Sequence, residues 1–211
     1  MDFDYRDNLK SLNMALLDND KIVKIIGYID FLKNENEKKN LISRKANDQD
    51  IFRFIGSSLV FAKYIADFNV AKVLDIGSGA GFPAVICAIC LPEVCFSVMD
   101  STQKKIDFLY DVASHLGLGN IECFWGRIED FGGAKGLKED FDICTAMAVG
   151  GIELTTGYAF PFLRKGGVFL TIKSYNQEKE FEEAMKFVAS KSLEMQIKKE
   201  EEVESFLLVI S

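Results

Sequence analysis

Apolar residues recur at two different spacings along this chain, and the spacing changes near residue 70. Before it, Ile22, Ile25, Ile26, Ile29 and Leu32 fall on one helical stripe, and Ile51, Ile55, Leu59, Ala62 and Ile65 fall on another. A shorter stripe, Asn8–Leu17, precedes both. Polar Asn34–Asn40 reads as a connector and 40–44 as a loop, with Asn47 or Asp48 placed to cap the helix that follows. After residue 70 short apolar runs predict strands at Lys72–Ile76, Val94–Met99, Ile121–Trp125, Asp142–Met147 and Gly167–Lys173. Helices are predicted between and after them, at Ala84–Leu91, Thr102–Leu118, Gly151–Leu163 and Gln177–Ser190. Leu193–Lys198 and Val203–Ile210, on either side of acidic Glu200–Glu202, read as a closing β-hairpin. Repeated strand-helix units imply an α/β fold with a doubly wound, mostly parallel sheet, whose ligands lie beyond the carboxyl ends of the strands. Residues 1–70 are then a helical extension of the sheet domain, 71–211, in one structural unit.

One strand end stands out. Val73–Pro83 reads VLDIGSGAGFP: a short buried run broken by three glycines at alternate positions, then a helix-like run. Glycines there allow backbone angles closed to other residues and let a ligand lie against the main chain. A dinucleotide loop needs G-x-G-x-x-G, but the sixth position counted from Gly77 is Phe82 and the third glycine comes early, at Gly81. The form Asp75-x-Gly77-x-Gly79-x-Gly81 instead resembles the first motif of S-adenosylmethionine-dependent methyltransferases. Asp100 ends the next predicted strand, 19 residues beyond Gly81, where a carboxylate can accept hydrogen bonds from a ribose.

Composition narrows the chemistry. The chain has 211 residues, 48% of them hydrophobic, enough for a sizeable core. No apolar stretch approaches the ~20 residues of a membrane span. The start MDFDYRDNLK lacks the basic end and apolar centre of a signal peptide, so a cytoplasmic protein is expected. Five cysteines inside apolar runs suit reduced, buried thiols. Cys87-x-x-Cys90 has half-site spacing but no second pair, and the only histidine is His115, so core packing without a metal is expected. The net charge of −7 argues against nucleic-acid binding by the whole surface. Residues 1–70 nevertheless balance 11 basic against 11 acidic side chains, whereas 71–211 hold 14 and 21. Any polyanion contact must use a local patch, and Lys38, Lys39, Arg44, Lys45 and Arg53 form the obvious cluster.

Taken together, Asn40-Leu41-Ile42-Ser43, the VLDIGSGAGFP loop, Asp100-Ser101-x-x-Lys104-Lys105-x-x-Phe108-Leu109 and Arg127-Ile128-Glu129-Asp130-Phe131 resemble glucose-inhibited division protein B, from about Leu17 to Ile210. That family comprises the 16S ribosomal RNA guanine-N7 methyltransferases. The resemblance implies a class I methyltransferase fold of Rossmann-like type, S-adenosylmethionine as cofactor, and 16S ribosomal RNA or the assembling small subunit as partner of a monomer. Cofactor contacts carry over to Gly77, Ser78, Gly79, Gly81, Phe82, Asp100, Ser101, Ile128 and Glu129. Lys173 and Arg53 match positioning residues, and with Lys38, Lys39, Arg44 and Lys45 they are the RNA-binding candidates. The chain departs from the family in having Arg53-Phe54 for Arg-His, Ala146-Met147-Ala148 for Ser-Arg-Ala, and Ser174 for a glycine after Lys173.

The N7 lone pair of guanine attacks an electron-poor methyl without first losing a proton, so no general base is required and positioning dominates. That suits a chain whose one histidine lies on a predicted helix away from the strand ends. Phe82, ahead of Phe54 and Phe52, is the expected aromatic for stacking an incoming base. Because Met147 supplies neither charge nor donors, two alternatives stay open: methylation of a small molecule or protein, and cofactor binding without turnover.

Overall fold

Side-chain caps set where the N-terminal helices begin and end. The computed structural model describes residues 3–12, 14–68, 70–131, 137–174, 178–200 and 205–211. Helix α1 spans Tyr5–Ser11, with the Asp4 carboxylate accepting the Asp7 N–H. It is shorter than the expected Asn8–Leu17, which crosses residue 13, outside the described residues. Asp18 caps α2, Asn19–Lys39, by accepting the Lys21 N–H. The polar segment expected to be a connector is therefore helical. Glu35 pairs with Lys38 and Lys39 along the last turns, and left-handed Asn40 closes the helix while the Asn36 side chain accepts the Leu41 and Ile42 N–H groups. Asn47 and Asp50 form a reciprocal capping box for α3, Asp48–Ala66.

The sheet then alternates with helices as expected: β1 Lys72–Ile76, α4 Ala84–Cys90, β2 Cys95–Asp100, α5 Gln103–Leu116, β3 Ile121–Trp125, β4 Phe141–Ala146, α7 Ile152–Ala159, β5 Leu163–Ser174, α8 Glu178–Ser190, β6 Met195–Glu200 and β7 Ser205–Ile210. One turn of helix, α6 at Ile128–Phe131, stands between the third and fourth strands, where no element is predicted. The helix expected to run to Leu163 stops at Ala159, because Pro161 leads through a 3-10 turn, and β5 begins at Leu163, opposite Phe141. The proposed starts at Gln177 and Val203 and part of the Glu200–Glu202 turn lie outside the described residues.

Strand order is β3-β2-β1-β4-β5-β7-β6. Pairs among β1 to β5 are parallel, and β7 runs antiparallel to both β5 and β6. The chain leaves β1 toward β2 and β3 and returns to the other side with β4, so the order reverses at β1 and opens a crevice at the carboxyl ends. Successive side chains face opposite layers. Val73, Phe96 and Leu170 join the core under α1 to α5, and Leu74, Phe169 and Leu208 join the core under α7 and α8. The three N-terminal helices thus thicken the layer that carries α4 and α5. Four cysteines are buried and Cys95 is exposed at the start of β2, a departure from the all-buried expectation; every cysteine is a free thiol. His115 stacks on Phe31 with centroids 4.8 Å apart. Among the described residues, no helix is long and apolar enough to cross a membrane and no cluster could hold a metal ion.

Candidate cofactor and RNA site

The turn after β1 is stitched to β2 through both backbone and side chain. Met99 O accepts the Gly77 and Ser78 N–H groups at 2.8 and 3.0 Å. Ser78 Oγ donates to Asp75 O and accepts the Met99 N–H, so this buried serine secures the loop from behind. Gly77 has φ +68°, and a Cβ there would lie 2.8 Å from Val149 Cγ2. Gly81 has φ +101°, and its Cβ would lie 2.5 Å from Val85 Cγ2. Both positions need glycine for conformation and for room. The extension braces the same loop from its outer side: buried Tyr28 Oη donates to Ala80 O at 2.8 Å, and the Phe82 ring packs 5.4 Å from Tyr28 and 5.5 Å from Phe54.

Two aspartates below this loop behave differently. Asp100 ends β2 at 6% exposure; its Oδ2 accepts the Gly79 N–H at 3.0 Å and Lys105 Nζ at 3.4 Å, and its Oδ1 accepts the Thr102 N–H at 2.8 Å. A carboxylate has about four acceptor positions, so one stays open on Oδ1. Asp75 is completely buried, accepts the Thr145 hydroxyl on Oδ1 at 2.7 Å and leaves Oδ2 without a partner. Burial pushes its pKa up to about 7, the Asp100 carboxylate adds to the rise, and the hydroxyl bonds oppose it.

The ends of β1 to β4 enclose a cleft of about 180 Å³. Of the residues expected at a cofactor, Gly77, Asp100, Ser101, Ile128 and Glu129 line it. Ser78, Gly79, Gly81 and Phe82 shape and support the loop without lining the cleft. Phe82 is 6% exposed inside the Tyr28–Phe54 cluster, so its ring is no open platform for a base. Phe52 sits 5.6 Å from Phe3 and is only partly exposed. Val149, on the strand end after β4, and Tyr158 close the β4 side; no motif in the sequence marks Tyr158, and only the fold carries α7 across to α6. Tyr158 Oη donates to Glu129 Oε1 at 2.9 Å. A backbone hydrogen bond and this phenol lower the Glu129 pKa, and the carboxylate raises that of Tyr158.

None of the six expected RNA-binding cations lines this cleft. Lys173, 8% exposed at the end of β5, donates to Gly150 O at 2.9 Å and pairs with Glu180 on α8 at 2.7 Å. Arg53 lies 3.4 Å from Asp50 on the surface of α3, and Lys39 ties α2 to Asp111 of α5 at 3.0 Å. Lys38 pairs with Glu35, while Arg44 and Lys45 are exposed on the α2–α3 connection. Because Phe54 of α3 touches the glycine loop, this connection and Arg53 lie toward the crevice end of the sheet. Met147, at the arginine position of the resembling family, packs partly buried against the core.

Comparison with known proteins places this arrangement. The family model described as "rRNA small subunit methyltransferase G" (GidB) matches residues 21–206. "Ribosomal RNA small subunit methyltransferase G" of Lactococcus lactis is 36% identical over 165 residues, 77% of this chain and 69% of that protein. The protein of the same name from Listeria monocytogenes is 31% identical over 187 residues, 86% of this chain and 79% of that one. Among solved structures, cofactor-bound Rv0187 from MTB overlays with a TM-score of 0.65 at 16% identity, covering 100% of this chain and 98% of that one. The O-methyltransferase of Bacillus cereus in complex with SAH gives 0.59 at 14% identity, covering 87% and 90%; both likenesses concern the fold. With its α/β sheet, its glycine loop and this match over most of its length, the chain belongs to the GidB family, the rRNA small subunit methyltransferase G proteins.

Proposed function

We propose that this protein transfers a methyl group from S-adenosylmethionine to N7 of a guanine in small-subunit ribosomal RNA, as a cytoplasmic monomer without a metal. The observation that carries the reading is the cleft itself: a wall with no Cβ at Gly77, an open acceptor on Asp100 Oδ1 and apolar Ile76, Met99 and Ile128, at the topological switch of a GidB-family chain. When bound, S-adenosylmethionine supplies an electron-poor methyl on a sulfonium. Asp100 would accept from a ribose hydroxyl, Met99 and Ile128 would flank its purine, and Gly77 would let its methionine part lie on the main chain.

For the RNA side, this chain's residues need only hold N7 in line with that methyl, because a lone-pair nucleophile calls for no base. Arg53 and Lys173 are the positioning candidates, with Lys38, Lys39, Arg44 and Lys45 for the phosphates. Four of these six already face a carboxylate, through Asp50, Glu180, Glu35 and Asp111, so RNA would replace one anion with another and gain modestly at each. Met147, two residues before Val149 of the cleft wall, supports the second reading, a small-molecule or protein acceptor, because it offers no donor.

Label transfer from methyl-tritiated S-adenosylmethionine to naked 16S RNA, small-subunit particles, free protein and small metabolites separates the readings. The proposal expects label in RNA with the native chain. Label in RNA only after Met147→Arg would mean that the native chain has another acceptor.

A further inference from the structure

Two aromatic rings on the free edge of the sheet are held by their polar tips and turned outward. Trp125, the last residue of β3, is 59% exposed, and its Nε1–H donates to Ser101 O at 3.2 Å. Tyr110 of α5 is 56% exposed, and its Oη–H donates to Cys123 O at 3.2 Å. Trp125 and Cys123 point to the same side of the strand, two residues or about 7 Å apart. A solvent-facing tryptophan exposes a large apolar face, and each ring here is fixed in place by a backbone carbonyl rather than by a core. Trp125 does not line the cofactor cleft, although its neighbours Gly126 and Arg127 and its acceptor Ser101 do.

Lys104, in the first turn of α5, and Arg127, two residues beyond Trp125, are exposed; Arg127 also lines the cofactor cleft, where its charge acts on Glu129 and Tyr158. Of the carboxylates on the same helix, Asp107 accepts from the Gln103 amide and Asp111 is paired with Lys39. Glu122 lies on the opposite face of β3 by strand alternation. In a chain of net charge −7, two exposed cations near two exposed rings form a local exception.

We infer that Trp125 and Tyr110, flanked by Lys104 and Arg127, form a docking platform for unpaired nucleotides of the substrate RNA, adjoining the cofactor cleft whose wall Arg127 shares. Flat rings with free faces stack any base, and adjacent cations meet the phosphates between them. The inference rests on the ribosomal RNA reading above and adds a second contact for the polymer, on the β3 edge away from the glycine loop. A neighbouring protein would require an apolar partner and would make no use of the two cations.

The chain contains a single tryptophan, so its emission reports on this platform alone. An unstructured dodecaribonucleotide titrated into the full-length protein should quench that emission saturably, and binding should weaken as salt rises. Trp125→Ala should lower the oligonucleotide's affinity roughly 5- to 50-fold, and Trp125→Phe should keep most of it because a stacking face remains. Lys104→Gln should reduce the slope of log affinity against log salt by about 0.7. Calorimetry with S-adenosylhomocysteine on each variant checks that fold and cleft persist. RNA bound by fluorescence anisotropy with unchanged tryptophan emission, or with equal affinity for the Trp125→Ala variant, would overturn the platform and leave the methyltransferase reading intact. Failure of the native chain to bind or methylate any RNA would overturn both.

Discussion

Asp75 illustrates how one side chain can serve a fold and strain it together. It sits in the centre of a parallel sheet with a single hydroxyl donor, and its carboxyl titrates at about 7 rather than at the ordinary 3.8. The native state therefore holds a proton that the unfolded chain releases above about pH 4. Stability from this group is complete at low pH, falls as pH rises toward 7 and is lost above it. Asp75→Asn keeps the bond from Thr145 and cannot ionise. Urea midpoints from pH 4 to 8 should show the variant gaining on the native chain through that window, by up to about 4 kcal/mol at the alkaline end. Parallel pH profiles for the two proteins would show that the carboxyl ionises freely in the fold.

Gly77 makes a complementary case, because its constraint is steric. Gly77→Ala adds a Cβ 2.8 Å from Val149 in a left-handed backbone and should destabilise the protein by about 1–3 kcal/mol. Part of that loss comes from the valine, so Val149→Ala in the same chain should recover some of it. A strictly additive double-mutant cycle would contradict the contact.

At the scale of elements, hydrophobic period and turn chemistry located β1 and β3 to the residue, and β2, β4 and α5 to within one or two. They failed where polar side chains act on the backbone. Asn34–Lys39 carries no apolar stripe and is helical through its ion pairs and the Asn36 and Asn40 termini. Leu163–Gly166 belongs to β5 through an irregular register that no alternation announces. The glycine loop and Asp100 were legible because glycine spacing and a strand-end carboxylate are local signals. Tyr158 and the burial of Phe82 depend on distant elements converging, and only tertiary structure supplies that. The role of α2 is a further example: its Tyr28 reaches 52 residues along the chain to hold Ala80 O. Tyr28→Phe leaves that buried carbonyl without its donor and should destabilise the protein by about 1–3 kcal/mol while weakening S-adenosylhomocysteine binding. Calorimetry and urea unfolding of the same variant would measure both, and an intact cofactor affinity would show that the loop does not rely on this brace.

Over the whole molecule, the proposed methyl transfer relies on geometry rather than on reactive side chains. The sheet ends collect a cleft shaped for one small polyfunctional ligand, and the cations expected to meet RNA stand outside it, mostly paired with carboxylates. RNA affinity should therefore be weak per contact and strongly salt dependent, and it should rest on several surfaces at once. Met147, where the resembling family has an arginine, packs against the core and brings no charge, which is why its replacement by arginine is informative about the acceptor.

The cleft at the ends of β1 to β4 is the proposed seat of the methyl donor, and isothermal calorimetry tests it. The folded native chain should give saturable, one-site heat with S-adenosylmethionine and S-adenosylhomocysteine, and Asp100→Ala should weaken both by about 1–3 kcal/mol. No heat from a chain verified as folded, or an affinity unchanged by loss of the Asp100 carboxylate, would contradict it.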